Sequence, residues 1–129
     1  MVKPDVRRVR AILRGLQVSS SDVEGSALVS FDGLVIASEL QLHVDADRFG
    51  AMCASLVALA VRAAREVDRG DLRQLIVDGA NGPMLLTRAG ASGVLAMAAR
   101  PSASLGRLIL ESRKAVLSIE DSFFPAVGF

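Results

Sequence analysis

Residues 45–70 carry the longest uninterrupted pattern in the chain. Positions 49–61 hold no charge, Asp45 or Asp47 can cap the front, and Gly70 stands where a left-handed residue ends a helix, so the spacing predicts one long helix. At about 100° per residue, Phe49, Met52, Cys53, Leu56, Leu59, Ala60, Ala63 and Val67 share one face. The opposite face carries Ala51, Ala54, Ala58 and Val61 before Arg65 makes it polar. A helix apolar on both sides is buried on both sides or offers one side to a partner. The large-residue face is expected on a sheet, and the row Ala51, Ala54, Ala58 and Val61 is the candidate seam for self-association. A plainer reading has another helix of the chain covering that row, or leaves it in water, which alanine tolerates.

The remaining periodicities fall on either side of this helix. Val6, Val9, Leu13 and Leu16, with Ile12 beside them, repeat at helical spacing behind Pro4 and Asp5. Residues 18–24 are a polar, Ser-rich loop. Residues 26–31 and 34–38 read as strands around Asp32-Gly33, a strong hairpin signal. Residues 72–78 form a third strand, Asn81-Gly82 a second hairpin turn, and residues 83–87 and 93–98 the last two strands. Pro101 and Ser102 open a final helix with an inner stripe of Leu105, Leu108, Ile109, Ser112, Ala115, Val116 and Ile119. Leu110 and Leu117 lie off that stripe and are free to touch something else. The tail, residues 122–129, holds three Phe and either docks on the body or meets a partner.

The element order is thus αββαβββα. Loops within the strand pairs are too short for parallel crossovers, so those pairs are antiparallel and the long helix is the single crossover. The strands are apolar in succession, which calls for cover on both faces. The expected fold is α/β (α+β by strand pairing): a three-layer α-β-α sandwich with a five-stranded, mostly antiparallel sheet, forming one domain over residues 1–129 with its core at about 5–121. An open sheet has two edges. One of them, beside the helix seam, invites a second copy and a two-fold dimer with a continuous sheet.

Composition adds a few bounds. The formal net charge is +1, so no whole-molecule field favours nucleic acid. Arg7, Arg8, Arg10 and Arg14 have no aromatic interleaved to stack a base and read as a solvated helix face. No stretch is apolar for the eighteen or so residues of a membrane span, and residues 1–14 lack the apolar run of a signal peptide. The lone Cys53 cannot form an internal disulfide, which suits a cytoplasmic setting. His43 is the only histidine and has no second ligand near it for a metal. There is no phosphate-cradling GxxxxGK[ST], no GxGxxG and no GxSxG elbow. Asp45 and Asp47 read as helix caps, not as an acid–base pair. Arg62, Arg65 and Arg69 complement the C-terminal dipole of the long helix and are candidate partner contacts. No catalytic, cofactor or metal residue is expected.

With the order of pieces in place, the chain resembles the roadblock / dynein light chain family, in particular its bacterial MglB-like members. The resembling segments are Gly25-Ser-Ala-Leu-Val-Ser-Phe-Asp-Gly-Leu-Val-Ile-Ala-Ser38, Asp45-Ala-Asp47 with the Ala/Leu-rich helix after it, Leu75-Ile-Val-Asp-Gly79, Val94-Leu-Ala-Met97, and Leu105-Gly106 with Glu111. The resemblance implies a profilin-like fold and homo- or heterodimers through the central helix and third strand, which adds Leu72 and Leu75 to the candidate interface. It also implies a non-catalytic partner of a small Ras-like GTPase, in MglB-like members one that stimulates GTP hydrolysis by remodelling the GTPase. Two other readings stand beside it. A small-molecule sensory module needs a polar-lined pocket between sheet and helix, for which the sequence offers few residues. A purely structural scaffold subunit has the same sequence signature.

Overall fold

In the computed structural model, which describes residues 2–125, the chain runs β1 (Val2–Pro4), α1 (Val6–Ser19), β2 (Val23–Val29), β3 (Val35–Glu39), α2 (Ala46–Glu66), β4 (Gln74–Gly79), β5 (Gly82–Arg88), a 3-10 turn (Gly90–Ser92), β6 (Val94–Ala99), α3 (Leu105–Glu120) and β7 (Phe123–Pro125). The main sheet has the order β3-β2-β6-β5-β4, and every neighbouring pair is antiparallel. β3 and β4 are its two edges, so α2 carries the chain from one edge to the other.

The three layers follow from strand alternation. Adjacent residues of a strand point to opposite faces. Leu28 enters one core with Val9 and Leu13 of α1 and Leu108 and Ile119 of α3, while its neighbour Ala27 enters another with Cys53 and Val57 of α2. The first core takes the large residues, including Leu85, Leu95 and Met97, each no more than 1% exposed. Complete burial of each such side chain stabilises the fold by about 1.5–3 kcal/mol. The α2 side is built from smaller ones: Ala27, Val29, Val94 and Ala96. Two helices therefore cover most of one face, and one helix covers part of the other.

Helix caps fit their sequence signals. Asp5, Asp45 and Ser104 each accept a hydrogen bond from the backbone N–H three residues on, at Arg8, Arg48 and Arg107. Pro4 sits in β1, ahead of the cap. Pro101 and Ser102 form a turn before α3 instead of opening it, because Ser104 supplies the cap.

Several boundaries differ from the sequence expectation. α2 ends at Glu66, not beside Gly70. Asp68 takes the left-handed conformation (φ 58°), its N–H donates to the Arg65 carbonyl (3.1 Å), and the Arg69 N–H donates to the Ala64 carbonyl (2.8 Å). This double bond pattern closes a helix, and here an Asp does what Gly70 was expected to do. β2 starts at Val23, inside the expected loop, because its first residues pair with the end of β6. Not all strands are doubly buried: β4 is exposed along most of its length. The short pair β1–β7 was not legible as strands. It joins the two ends of the described chain, with Phe123 packed against the large core and the Asp5 N–H donating to the Ser122 carbonyl at 2.8 Å. The start of the tail thus docks on the body, and residues 126–129 lie outside the described residues.

Candidate interaction surface

Gly50 decides how α2 sits. A Cβ at this position would lie 2.6 Å from Val35 Cγ2 and 3.0 Å from the Gly33 carbonyl oxygen, so only glycine lets the helix approach the β2–β3 hairpin so closely. Gly33 returns the fit: its φ of 93° serves the hairpin turn, and a Cβ there would meet Ala51 Cα at 3.3 Å. The inward stripe is consequently Gly50, Cys53 and Val57, at spacings of three and four residues.

This rotation changes the expected facing of α2. Cys53 and Phe49 turn inward as expected, but Met52 (55%), Leu56 (40%) and Leu59 (64%) are exposed. Of the small-residue row, Ala54 is half-buried against the Gly33 turn and Val61 packs on the α2-side core, whereas Ala51 and Ala58 remain exposed. The close approach at Gly50 favours small residues on the inner flank and turns the long ones out. The open apolar strip of α2 is therefore Met52, Leu56 and Leu59, with Ala51 at its margin. Gly50 was the signal that could have shown it, since a glycine inside a helix marks a close packing contact.

The edge strand β4 adds a second open surface. Among the described residues β4 pairs only with β5, through Leu75↔Leu86 and Val77↔Met84, and its other side carries backbone groups with no strand partner. Leu75 and Leu72 are half-buried against the α2-side core, while Ile76 (40%) and Val77 (37%) are exposed. Leu72 lies two residues ahead of β4, in the connection from α2.

The three candidate arginines are exposed. Arg65 pairs with Asp71 at 3.6 Å, and the Arg69 Nε donates to the Val67 carbonyl at 2.9 Å. Such exposed pairing is worth at most about 1 kcal/mol and leaves both guanidinium groups accessible. Arg62 has no polar partner among the described residues. Chemistry is sparse elsewhere. Cys53 is 1% exposed, and burial pushes its thiol up from an ordinary 9.0 to about 11. Among the described residues no group of His, Cys, Asp and Glu could hold a metal ion, and no helix is long and apolar enough to cross a membrane. Between α2 and the sheet lies a cavity of about 190 Å³ bounded by Val57, Val61, Leu86 and Val94, with Arg65 and Arg88 at its rim. That is below the size usual for a small-molecule site.

Comparison with known proteins settles the family. The model of the Roadblock/LC7 domain matches residues 11–99. The chain belongs to the Roadblock/LC7 domain family. The uncharacterized protein MJ1340 of Methanocaldococcus jannaschii is 36% identical over 101 residues, covering 78% of this chain and 88% of that protein. This relative is archaeal, so the match does not narrow the chain to bacteria. Among solved structures, a Roadblock/LC7 domain from Streptomyces avermitilis superposes with a TM-score of 0.80 at 27% identity, covering 87% of this chain and 94% of that one. Myxococcus xanthus MglB superposes with a TM-score of 0.85 at 21% identity, covering 94% and 91% respectively. The last likeness shows a shared fold, and the MglB-like architecture expected from sequence is the one found.

Proposed function

We propose that this roadblock domain is a non-catalytic, cytoplasmic, homodimeric regulator or adaptor of a small Ras-like GTPase. The observations that carry the proposal are an exposed apolar helix strip, Met52, Leu56 and Leu59, and a sheet edge at β4 that has no strand partner on its outer side among the described residues. Two copies related by a two-fold axis bury both surfaces at once: strip against strip and edge against edge. Within this reading Leu72 and Leu75 back the edge from below, and Ala51 and Ala58 let the second helix come close. Ala54 and Val61 support the seam from the inner side. Arg62 and Arg65, in the last turns of α2, and Arg69, just beyond it, offer guanidinium groups to the GTPase at the rim of the paired helices. Membership of the Roadblock/LC7 family and the MglB-like fold support a regulatory role, and the sparse chemistry of the described residues is consistent with it.

The direct test mixes the purified protein with the small GTPase encoded nearest to it, loaded with GDP or with a non-hydrolysable GTP analogue. Co-elution with the GTP-like form alone, together with faster hydrolysis, is the expected result. Co-elution without faster hydrolysis assigns an adaptor role. Failure to bind either form contradicts the GTPase reading and leaves a scaffold.

A further inference from the structure

The face of the sheet opposite α2 carries an open groove of about 420 Å³ between the β4–β5 ends and α3. It is lined by Val116 and Leu117 of α3 with Leu72 at one end, and Arg73, Arg88 and Arg113 stand around it. Among the described residues none of these three arginines has a carboxylate within 4.0 Å, although three ion pairs form elsewhere. Asp71 is the one acid lining the groove, and it is engaged by Arg65. The wall is fixed in place. The Gln74 side-chain amide donates to Thr87 Oγ1 (2.8 Å) and to Ser112 Oγ (3.1 Å), and Ser112 Oγ donates to the Ile109 carbonyl (2.8 Å).

α3 extends the same character along its outer side. Leu110 and Leu117 are 64% and 63% exposed, and Arg113 lies between them at spacings of three and four residues, so the three share one helix face. An apolar–basic–apolar stripe beside a groove with Arg73 unpaired, and with Arg88 donating to the Gly90 carbonyl (3.4 Å) and resting over the Phe31 ring (5.6 Å), has a defined complement. A free phosphate would use the guanidinium groups and leave the leucines in water. A segment with leucine-like anchors flanked by carboxylates uses both.

We propose that this α3–β4 groove docks an acidic amphipathic segment of a partner protein, with its apolar residues on Leu117 and Val116 and its carboxylates on Arg73 and Arg113. The site lies on the other face of the sheet from the α2 strip and meets the proposed dimer seam only at Leu72 and the start of β4.

The probe is a fluorescein-labelled helical peptide of about four turns, with leucines at i, i+3 and i+7 flanked by glutamates; a control peptide has lysines in their place. Fluorescence anisotropy should show saturable binding of the glutamate peptide that weakens as salt rises, and no binding of the lysine peptide. Arg113→Glu should weaken it about tenfold, Leu117→Ala by about three- to tenfold, and Leu56→Glu on the α2 strip should leave it unchanged. Both groove substitutions are on exposed positions, and unchanged circular dichroism melting keeps loss of binding separate from loss of fold. Equal binding of the two peptides, full binding by Arg113→Glu, no saturation at millimolar peptide, or binding to phosphatidylserine vesicles in place of the peptide would each overturn the proposal.

Discussion

Gly50 and Cys53 are consecutive members of the stripe that seats α2, and each makes a separate demand. Gly50→Ala adds a methyl group 2.6 Å from Val35 Cγ2 and 3.0 Å from a backbone oxygen that cannot yield. Overpacking of this kind costs about 1–3 kcal/mol, enough to outweigh the better helix propensity of alanine, so thermal denaturation should show a lower Tm. An unchanged or higher Tm would mean that α2 does not approach the hairpin this closely. Cys53 is held in its neutral form by burial, with its thiol at about 11. At pH 8 about one thiol in a thousand is ionised, so a thiol reagent such as Ellman's should react only as fast as α2 opens, and at once in denaturant. Because the folded value lies above the ordinary 9.0, the neutral thiol's contribution is fully present below pH 9 and is lost as pH rises towards 11. Denaturant titrations should therefore give a falling stability across that window, and Cys53→Ala should remove that part of the slope.

The end of α2 shows where a local signal and the folded helix part company. Asp68 sits in the left-handed region where glycine has no steric penalty. Asp68→Gly should raise stability by about 0.5–1 kcal/mol, the relief of strain exceeding the added freedom of the unfolded chain. A lower Tm would show that the Asp side chain contributes something beyond closing the helix. The same element explains how much could be read from sequence. Caps, turns and periodicity are local, so Asp45, Asp32-Gly33 and the five main strands were legible, as was the three-layer sandwich. The strand pair β1–β7 was not, because its partners lie at opposite ends of the chain and neither segment is longer than three residues. Gly70 misled because it does adopt a positive φ (80°), but in the turn after the helix. The facing of α2 failed for another reason. Size suggested that Met52, Leu56 and Leu59 belong inside, whereas the contact at Gly50 admits only a close approach and so turns them out.

The molecule as a whole is lopsided. α1 and α3 cover most of one face of the sheet, while the other has one helix, an exposed edge strand and most of the large apolar side chains left in water. Self-association along Met52, Leu56, Leu59 and β4 answers this imbalance, and it predicts where a charge is tolerated. Leu56→Glu would place an unpaired carboxylate in the seam, while Leu110→Glu, on an equally open helix face, would not. Light scattering coupled to size-exclusion chromatography measures this directly. The wild-type mass should be twice that of the 13.6 kDa chain, the same for Leu110→Glu, and a single-chain mass for Leu56→Glu. A monomeric wild type, or a Leu56→Glu protein that stays wholly dimeric, would contradict it.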